Sequence, residues 1–227
     1  MNALLRPIKS MTLKIHEIFY SLQGESSRIG LPTVFVRLTG CPMRCGYCDT
    51  AYAFNGGSNM SLDEILEKVA SYTAGSGGAK YVTVTGGEPL AQKHCWPLLT
   101  ALCEAGYSVS LETGGAIDTS KVDQRVSVIL DIKTPGSGEL KNMRMDNIKY
   151  LKATDEVKFV LCDRADYDWA KDLLAEYSLN KTCSVLFSPV YNQLNPTELA
   201  EWILQDKLPV RMQVQLHKIL WGEKPGV

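Results

Sequence analysis

The stretch 41-CPMRCGYCDT-50 puts three thiols, Cys41, Cys45 and Cys48, on one short loop. Three is an awkward number. A structural zinc site takes four protein ligands, and disulfides consume cysteines in pairs. Thiolate sulfur serves zinc and iron–sulfur clusters about equally well. A cube of four irons held by three cysteines, however, leaves one iron open to a small molecule, as a catalytic metal keeps a position for its substrate. The spacing CxxxCxxC lets one loop wrap a face of such a cluster, and Tyr47, just ahead of the last cysteine, can shield its edge. The competing reading is a zinc knuckle that borrows His94 or Cys95 as a fourth ligand. A zinc ribbon would show a second CxxC, which this chain lacks.

The other four cysteines, Cys95, Cys103, Cys162 and Cys183, lie scattered through apolar segments and read as buried thiols acting as small hydrophobes. A length of 227 residues suits a single domain, 1–227, with 1–12 as a loose leader and 223–227 as a tail. Hydrophobic residues at 45% and charged residues at 22% describe a globular chain with one core. The formal net charge of −1 gives no electrostatic reason to expect nucleic acid as a partner. No apolar run of about 18 residues offers a membrane span. The opening MNALLRPIKSM is too short and too weakly apolar for a secretory signal, so a cytoplasmic location is expected.

Apolar or β-branched runs at 33–40, 81–87, 107–113, 126–132, 156–162, 183–189 and 211–217 read as strands. Helical patterns lie between them. Ser61 and Glu64 form a capping-box signature at the head of 61–72. Residues 92–106 stop at Gly106 and carry Pro97 in their first turn. Residues 166–178 and 196–206 place apolar side chains three and four apart. The segment 74–80, AGSGGAK, reads as a small flexible tip. Mostly apolar strands alternating with helices argue for a parallel α/β sheet, whose active site sits at the C-terminal ends of the strands. The cysteine loop, TGGEP (85–89), ETGG (112–115) and KTPGSG (133–138) each lie at such an end.

TGGEP alone is a tight turn, in which adjacent glycines let the backbone approach a ligand and Glu88 can accept from an ammonium. One strand–helix unit after a CxxxCxxC loop, it resembles the GGE motif of the radical S-adenosylmethionine enzymes, whose cysteine signature this loop also resembles. The likeness implies a [4Fe–4S] cluster on Cys41, Cys45 and Cys48, with S-adenosylmethionine on the open iron and cleaved to a 5′-deoxyadenosyl radical. A full barrel takes roughly 250 residues. An α/β fold built as an incomplete (β/α) barrel is therefore expected, with an open edge that a homodimer would cover.

The likeness goes further. The run IFYSLQGESSRIGLPTVFVRLTGC (18–41), then DT, TGGEP, ETGG, DIKTP and a closing QLHKILWG (215–222), resembles the 7-carboxy-7-deazaguanine synthase family from about residue 15 to about residue 222. That family contracts the pterin ring of 6-carboxy-5,6,7,8-tetrahydropterin with loss of ammonia, on the way to queuosine. The resemblance implies a small-molecule pterin substrate, an electron donor such as flavodoxin or ferredoxin, and Mg2+. It implies that Leu22, Gln23 and Gly24 read the pterin, that Arg37 binds its carboxylate and that Thr85 faces it. Thr50 matches the magnesium ligand, and Gly87 the contact to the cofactor's amino group. Asp131, Ile132 and Lys133, with Ser188, Pro189, Val190 and Tyr191, match cofactor contacts, although DIK stands where some members carry SPK.

Chemistry alone leaves softer readings open. SLQGE is a polar turn, Thr50 a loop cap and Arg37 half of an internal salt bridge. Against these, a buried arginine wants an anion and its fork suits a planar carboxylate. Magnesium prefers oxygen donors and completes its shell with water and substrate. Glu112 reads as a ribose contact or a cap, and His217 and Lys218 close the last strand candidate. Two rivals remain at this level. A radical activase that makes a glycyl radical on a partner protein would share the cysteines and GGEP but lack the SLQGE–Arg37 pair. A non-enzymatic zinc module would bind protein or nucleic acid.

Overall fold

A computed structural model describes residues 11–74 and 80–227. Most of the expected leader and tip, residues 1–10 and 75–79, lie outside the described residues. The strands are β1 (Thr12–Leu22), β2 (Pro32–Leu38), β3 (Ser58–Ser61), β4 (Tyr81–Gly86), β5 (Ser108–Thr113), β6 (Ser127–Ile132), β7 (Glu156–Leu161), β8 (Ser184–Pro189) and β9 (Arg211–Met212). They form one sheet in the order β3-β1-β2-β4-β5-β6-β7-β8-β9. β1 is antiparallel to β2 and β3, whereas β2 and the strands from β4 to β9 run parallel. Among the described residues β3 and β9 form the two edges, so the sheet is an incomplete (β/α) barrel. The helices are α1 (Leu62–Thr73), α2 (Cys95–Glu104), α3 (Arg164–Tyr177), α4 (Leu179–Thr182), α5 (Pro196–Asp206) and α6 (Leu216–Trp221). At the head of α1 the capping box is complete: Glu64 N donates to Ser61 Oγ at 3.3 Å, and Ser61 N donates to Glu64 Oε2 at 2.7 Å.

The period of two along the strands separates two environments. Val82, Val84, Leu111, Leu130, Ile132, Val157, Phe159, Leu161 and Phe187 are sealed in the core. The residues between them, Thr83, Thr85, Glu112, Asp131 and Lys158, face the lumen of the barrel and are polar. A polar lumen is tolerable only if its groups find partners. Residues 23–27, directly after β1, supply them as a strap laid across the opening. Gln23 Nε2 donates to Thr83 Oγ1 and to Glu112 Oε1, both at 3.2 Å. Glu25 accepts from Lys158 Nζ at 2.6 Å and from Gln215 Nε2 at 2.8 Å. Ser26 N donates to Gln213 Oε1 at 2.7 Å, and Ser27 N to Glu156 Oε2 at 2.9 Å.

The strap also explains where strand and leader expectations fail. Thr12, assigned to the leader, opens β1. The run 211–217 alternates like a strand, but only Arg211–Met212 pairs with β8. Gln213 and Gln215 turn instead to the strap, and Leu216 N donates to Gly24 O at 3.0 Å. His217 and Lys218 therefore lie in α6 and not at a strand end. Of the four scattered thiols, Cys95, Cys162 and Cys183 are buried and Cys103 is half-buried.

Phe159 sits with no exposed surface between Phe187 at 5.4 Å and Trp169 at 6.3 Å, measured between ring centroids. Phe159→Ala is expected to cost about 3–5 kcal/mol, read as a lowered midpoint with an unchanged slope in urea unfolding.

Candidate active site

The C-terminal ends of the parallel strands open into a cavity of about 530 Å³, and Cys41, Cys45 and Cys48 all line it as half-buried free thiols. Their loop is pinned on several sides. Glu88 N donates to Gly40 O at 2.9 Å, Gly40 N to Ala53 O at 2.9 Å, and Gly46 N to Ser137 O at 3.1 Å. Gly87 is pressed flush against the loop. A Cβ there would lie 2.4 Å from Gly40 O and 2.6 Å from Cys41 Cβ, so no side chain fits. Tyr47 packs with Val160, Cys162 and Val190 into an apolar patch beside the thiols. Its hydroxyl is buried without a partner, and burial pushes its pKa far up.

Burial also raises all three thiols, Cys45 to about 11 even with Lys133 opposing. A positively charged metal centre reverses that preference and holds them as thiolates. Neither candidate for a fourth zinc ligand is present. His94 Nδ1 stands 2.8 Å from Thr12 O, and Cys95 is enclosed in the core. Among the described residues no three Cys, His, Asp or Glu side chains converge on one metal ion. Three thiols on one wall, a glycine-edged approach and an apolar shell fit a cuboidal cluster with an open iron.

A chain of buried charges starts beside the loop, with Lys133 Nζ 5.8 Å from the centre of the Tyr47 ring. Lys133 Nζ is 3.0 Å from Asp131 Oδ1, and Lys158 Nζ is 3.3 Å from Asp131 Oδ2. Burial opposes ionisation of Asp131, but the two ammonium groups win and hold its pKa below the ordinary value. Burial likewise opposes Lys158, yet Glu25, Asp131 and Glu112 hold it well above its usual range. Glu112 goes the other way: burial raises it, against the pull of Lys158. Glu88 is fully occupied by the chain, accepting from Leu90 N, Thr113 Oγ1 and Gly114 N at 2.8 to 3.1 Å. It ties the GGE turn to the end of β5, and burial raises its pKa.

Leu22, Gln23, Gly24, Arg37, Thr50, Thr85, Gly87, Asp131, Lys133, Val190 and Tyr191 all line the cavity. Thr85 Oγ1 donates to Glu112 Oε2 at 2.9 Å, and Thr50 Oγ1 to Asp49 Oδ1 at 2.7 Å. Arg37 Nε donates to Glu17 Oε1 at 2.7 Å, so the salt bridge read as the alternative for Arg37 does exist. Three of the expected residues are not brought to the wall. Ile132 is buried on the core face, because the middle of an Asp-Ile-Lys triplet in a strand points away from its neighbours. Pro189 is buried off the wall, and the Ser188 hydroxyl is enclosed without a partner. Sequence reasoning missed Glu25, Lys158 and Gln215, which also line the cavity, and Glu17 behind Arg37. Polar residues alternating inside VKFVL and after SLQG carry the signal that would have found Lys158 and Glu25.

Asp131 yields a test with a definite sign. A carboxylate whose native pKa is lowered stabilises the fold above its unfolded pKa, and that contribution is lost as pH falls through the native value. The stability gap between the wild type and Asp131→Asn is expected to be full above about pH 4 and to narrow below it. Urea unfolding between about pH 3 and 7 measures it.

Comparison with known proteins places this geometry. Residues 35–135 match the Radical SAM superfamily. The 7-carboxy-7-deazaguanine synthase of Chlorobaculum tepidum is 48% identical, over 92% of this chain and 94% of that protein. The enzyme of that name from Koribacter versatilis is 42% identical over 95% of this chain and 100% of that protein. A crystal structure of QueE from Escherichia coli superimposes with a TM-score of 0.75 at 24% identity, covering 92% of this chain and 96% of that one, and so shares the fold. With its three-thiol loop, its GGE turn and this degree of identity along nearly its whole length, the chain belongs to the 7-carboxy-7-deazaguanine synthase family of radical S-adenosylmethionine enzymes.

Proposed function

We propose that the chain converts 6-carboxy-5,6,7,8-tetrahydropterin to 7-carboxy-7-deazaguanine with loss of ammonia, as a carbon–nitrogen lyase of queuosine biosynthesis. One observation supports this above the rest: the thiol loop, Gly87, Thr85, Gln23 and Arg37 line one cavity of about 530 Å³. A radical activase needs no strap and no inward arginine, and a zinc module needs a fourth ligand, so neither rival accounts for that wall. The cluster and S-adenosylmethionine, when bound, supply the radical chemistry that starts the ring contraction.

The chain's own part is to bind and orient. Cys41, Cys45 and Cys48 hold the cluster, and Gly87 lets the backbone reach the amino group of S-adenosylmethionine. Asp131 and Lys133 frame the rest of that cofactor, and Val190 and Tyr191 close its far side. Leu22, Gln23 and Gly24 lie along the pterin, with Thr85 beside it. The Nη edge of Arg37 takes the carboxylate as a two-pronged donor. Thr50 supplies one oxygen to Mg2+, and the substrate supplies others. Asp49 beside it is held well below the usual carboxylate range: His217, Thr50 and Lys218 outweigh the burial that opposes its charge. Asp49 therefore stands ionised beside Thr50, with Lys218 Nζ 3.9 Å from its Oδ2.

We read the chain as one domain, active in the cytoplasm as a homodimer that covers the open sheet edge, with electrons from a flavodoxin or ferredoxin. Among the described residues no helix is long and apolar enough to cross a membrane.

Anaerobic reconstitution followed by incubation with the pterin, S-adenosylmethionine, dithionite and Mg2+ is expected to yield 7-carboxy-7-deazaguanine. Cleavage of S-adenosylmethionine with the pterin left intact would sink the substrate assignment, and colourless protein with stoichiometric zinc would sink the reaction class. In the same assay, Mg2+ titration is expected to raise the wild-type rate and to leave Thr50→Val flat.

A further inference from the structure

Arg37 is a tightly framed cation on the cavity wall. β1 and β2 are antiparallel, and their register slips between Ile15 and Glu17, which leaves His16 as the extra residue of a bulge. The slip sets Glu17 directly opposite Arg37. Bulges are a means of re-aiming a side chain beside a site. Glu17 Oε1 accepts from Arg37 Nε at 2.7 Å and from the Tyr52 hydroxyl at 2.8 Å. The guanidinium carbon also stands over the rings of Phe19 and Tyr52 at 5.7 and 5.8 Å. The two side chains of the pair are only 14% and 23% exposed. Burial raises the Tyr52 phenol to about 12, so it remains a donor throughout the physiological range.

This frame leaves one edge of the guanidinium free. Its two Nη groups carry no hydrogen bond to the described chain, and Arg37 lines the cavity while Glu17 and Tyr52 do not. We propose that Glu17 is the positioning residue for the substrate's carboxylate: it grips Arg37 through Nε and turns the paired Nη edge into the cavity. Tyr52 holds Glu17 in turn. An arginine tied at Nε presents a fixed planar fork, which suits a carboxylate and rejects a ligand that lacks one. An untied arginine would keep its charge but lose its aim. The proposal rests on the reading that Arg37 takes the pterin carboxylate.

The test uses reconstituted enzyme with S-adenosylmethionine and no reductant, so that ligands bind without turnover. Equilibrium dialysis gives the affinity for 6-carboxy-5,6,7,8-tetrahydropterin and for tetrahydropterin without the carboxylate. Glu17→Ala is expected to weaken the carboxylated ligand about ten- to hundredfold and to leave the other within about threefold. Glu17→Gln, whose amide oxygen still accepts from Nε, is expected to stay within about threefold of the wild type. Affinity for S-adenosylmethionine should hold in both variants. The double variant Glu17→Ala, Arg37→Ala should bind no more weakly than Arg37→Ala alone.

If Arg37→Ala weakens the carboxylated pterin and Glu17→Ala does not, Glu17 has no positioning role while the reading of Arg37 stands. An equal loss for both pterins and for S-adenosylmethionine would make Glu17 merely structural, and Glu17→Gln as weak as Glu17→Ala would show that geometry is not what it supplies. Unchanged binding in Arg37→Ala would remove the reading of Arg37 itself.

Discussion

The ion pair between Lys158 and Glu25 holds the middle of this molecule together. An open barrel with a polar lumen cannot leave its ammonium and carboxylate groups dry and unpaired, since losing one partner of such a pair costs about 3–5 kcal/mol. The strap after β1 meets that need. It brings Glu25 to Lys158, Gln23 to Glu112 and Ser27 to Glu156, and in doing so it becomes one wall of the ligand cavity. Gln23, Gly24 and Glu25 of the strap therefore both fill the barrel and line the cavity. A substitution there cannot be read as purely structural or purely functional.

Much of the architecture was legible because apolar runs of strand length, and helices with standard caps, are local patterns. The cysteine loop and the GGE turn were legible for a different reason: their chemistry demands particular residues at particular spacings. β1 is absent from the strand candidates although Thr12 and Lys14 alternate with buried Leu13 and Ile15 as in a half-buried strand, and only its first residue falls in the expected leader. The run RMQVQLH was misread because alternation signals a strand only when a partner strand is available, and there Gln213 and Gln215 bond to the strap instead. The family resemblance pointed to Thr85, Asp131 and Lys133, all of which line the cavity. It passed over Lys158, one turn of the pleat deeper in VKFVL, and it accepted Ile132, which the pleat sends to the opposite face.

Electrostatics and packing divide the work around the cavity. On the thiol side, glycine and apolar contacts dominate: Gly87 allows close approach, and Tyr47, Val160 and Val190 keep the wall dry. Around Glu25, Glu112 and Lys158, charges are arrayed so that each is answered by a neighbour, and Arg37 keeps an Nη edge with no hydrogen bond to the described chain. The bulge in β1 is a small irregularity with a large reach, because without it the side chain opposite Arg37 would be His16 and the countercharge would be lost.

The strap has a consequence for how the protein is made. Its hydrogen bonds join residues 187 and 190 positions apart in the chain, Ser26 to Gln213 and Glu25 to Gln215. Loop closure on that scale is the slow part of folding. During synthesis the cysteine loop emerges early, but the wall opposite it cannot exist until the last strand and α6 have left the ribosome. A cluster delivered before that moment would meet three exposed thiols and no pocket. The wall of the cavity is thus completed by the C-terminal end of the chain, although none of the three thiols lies there.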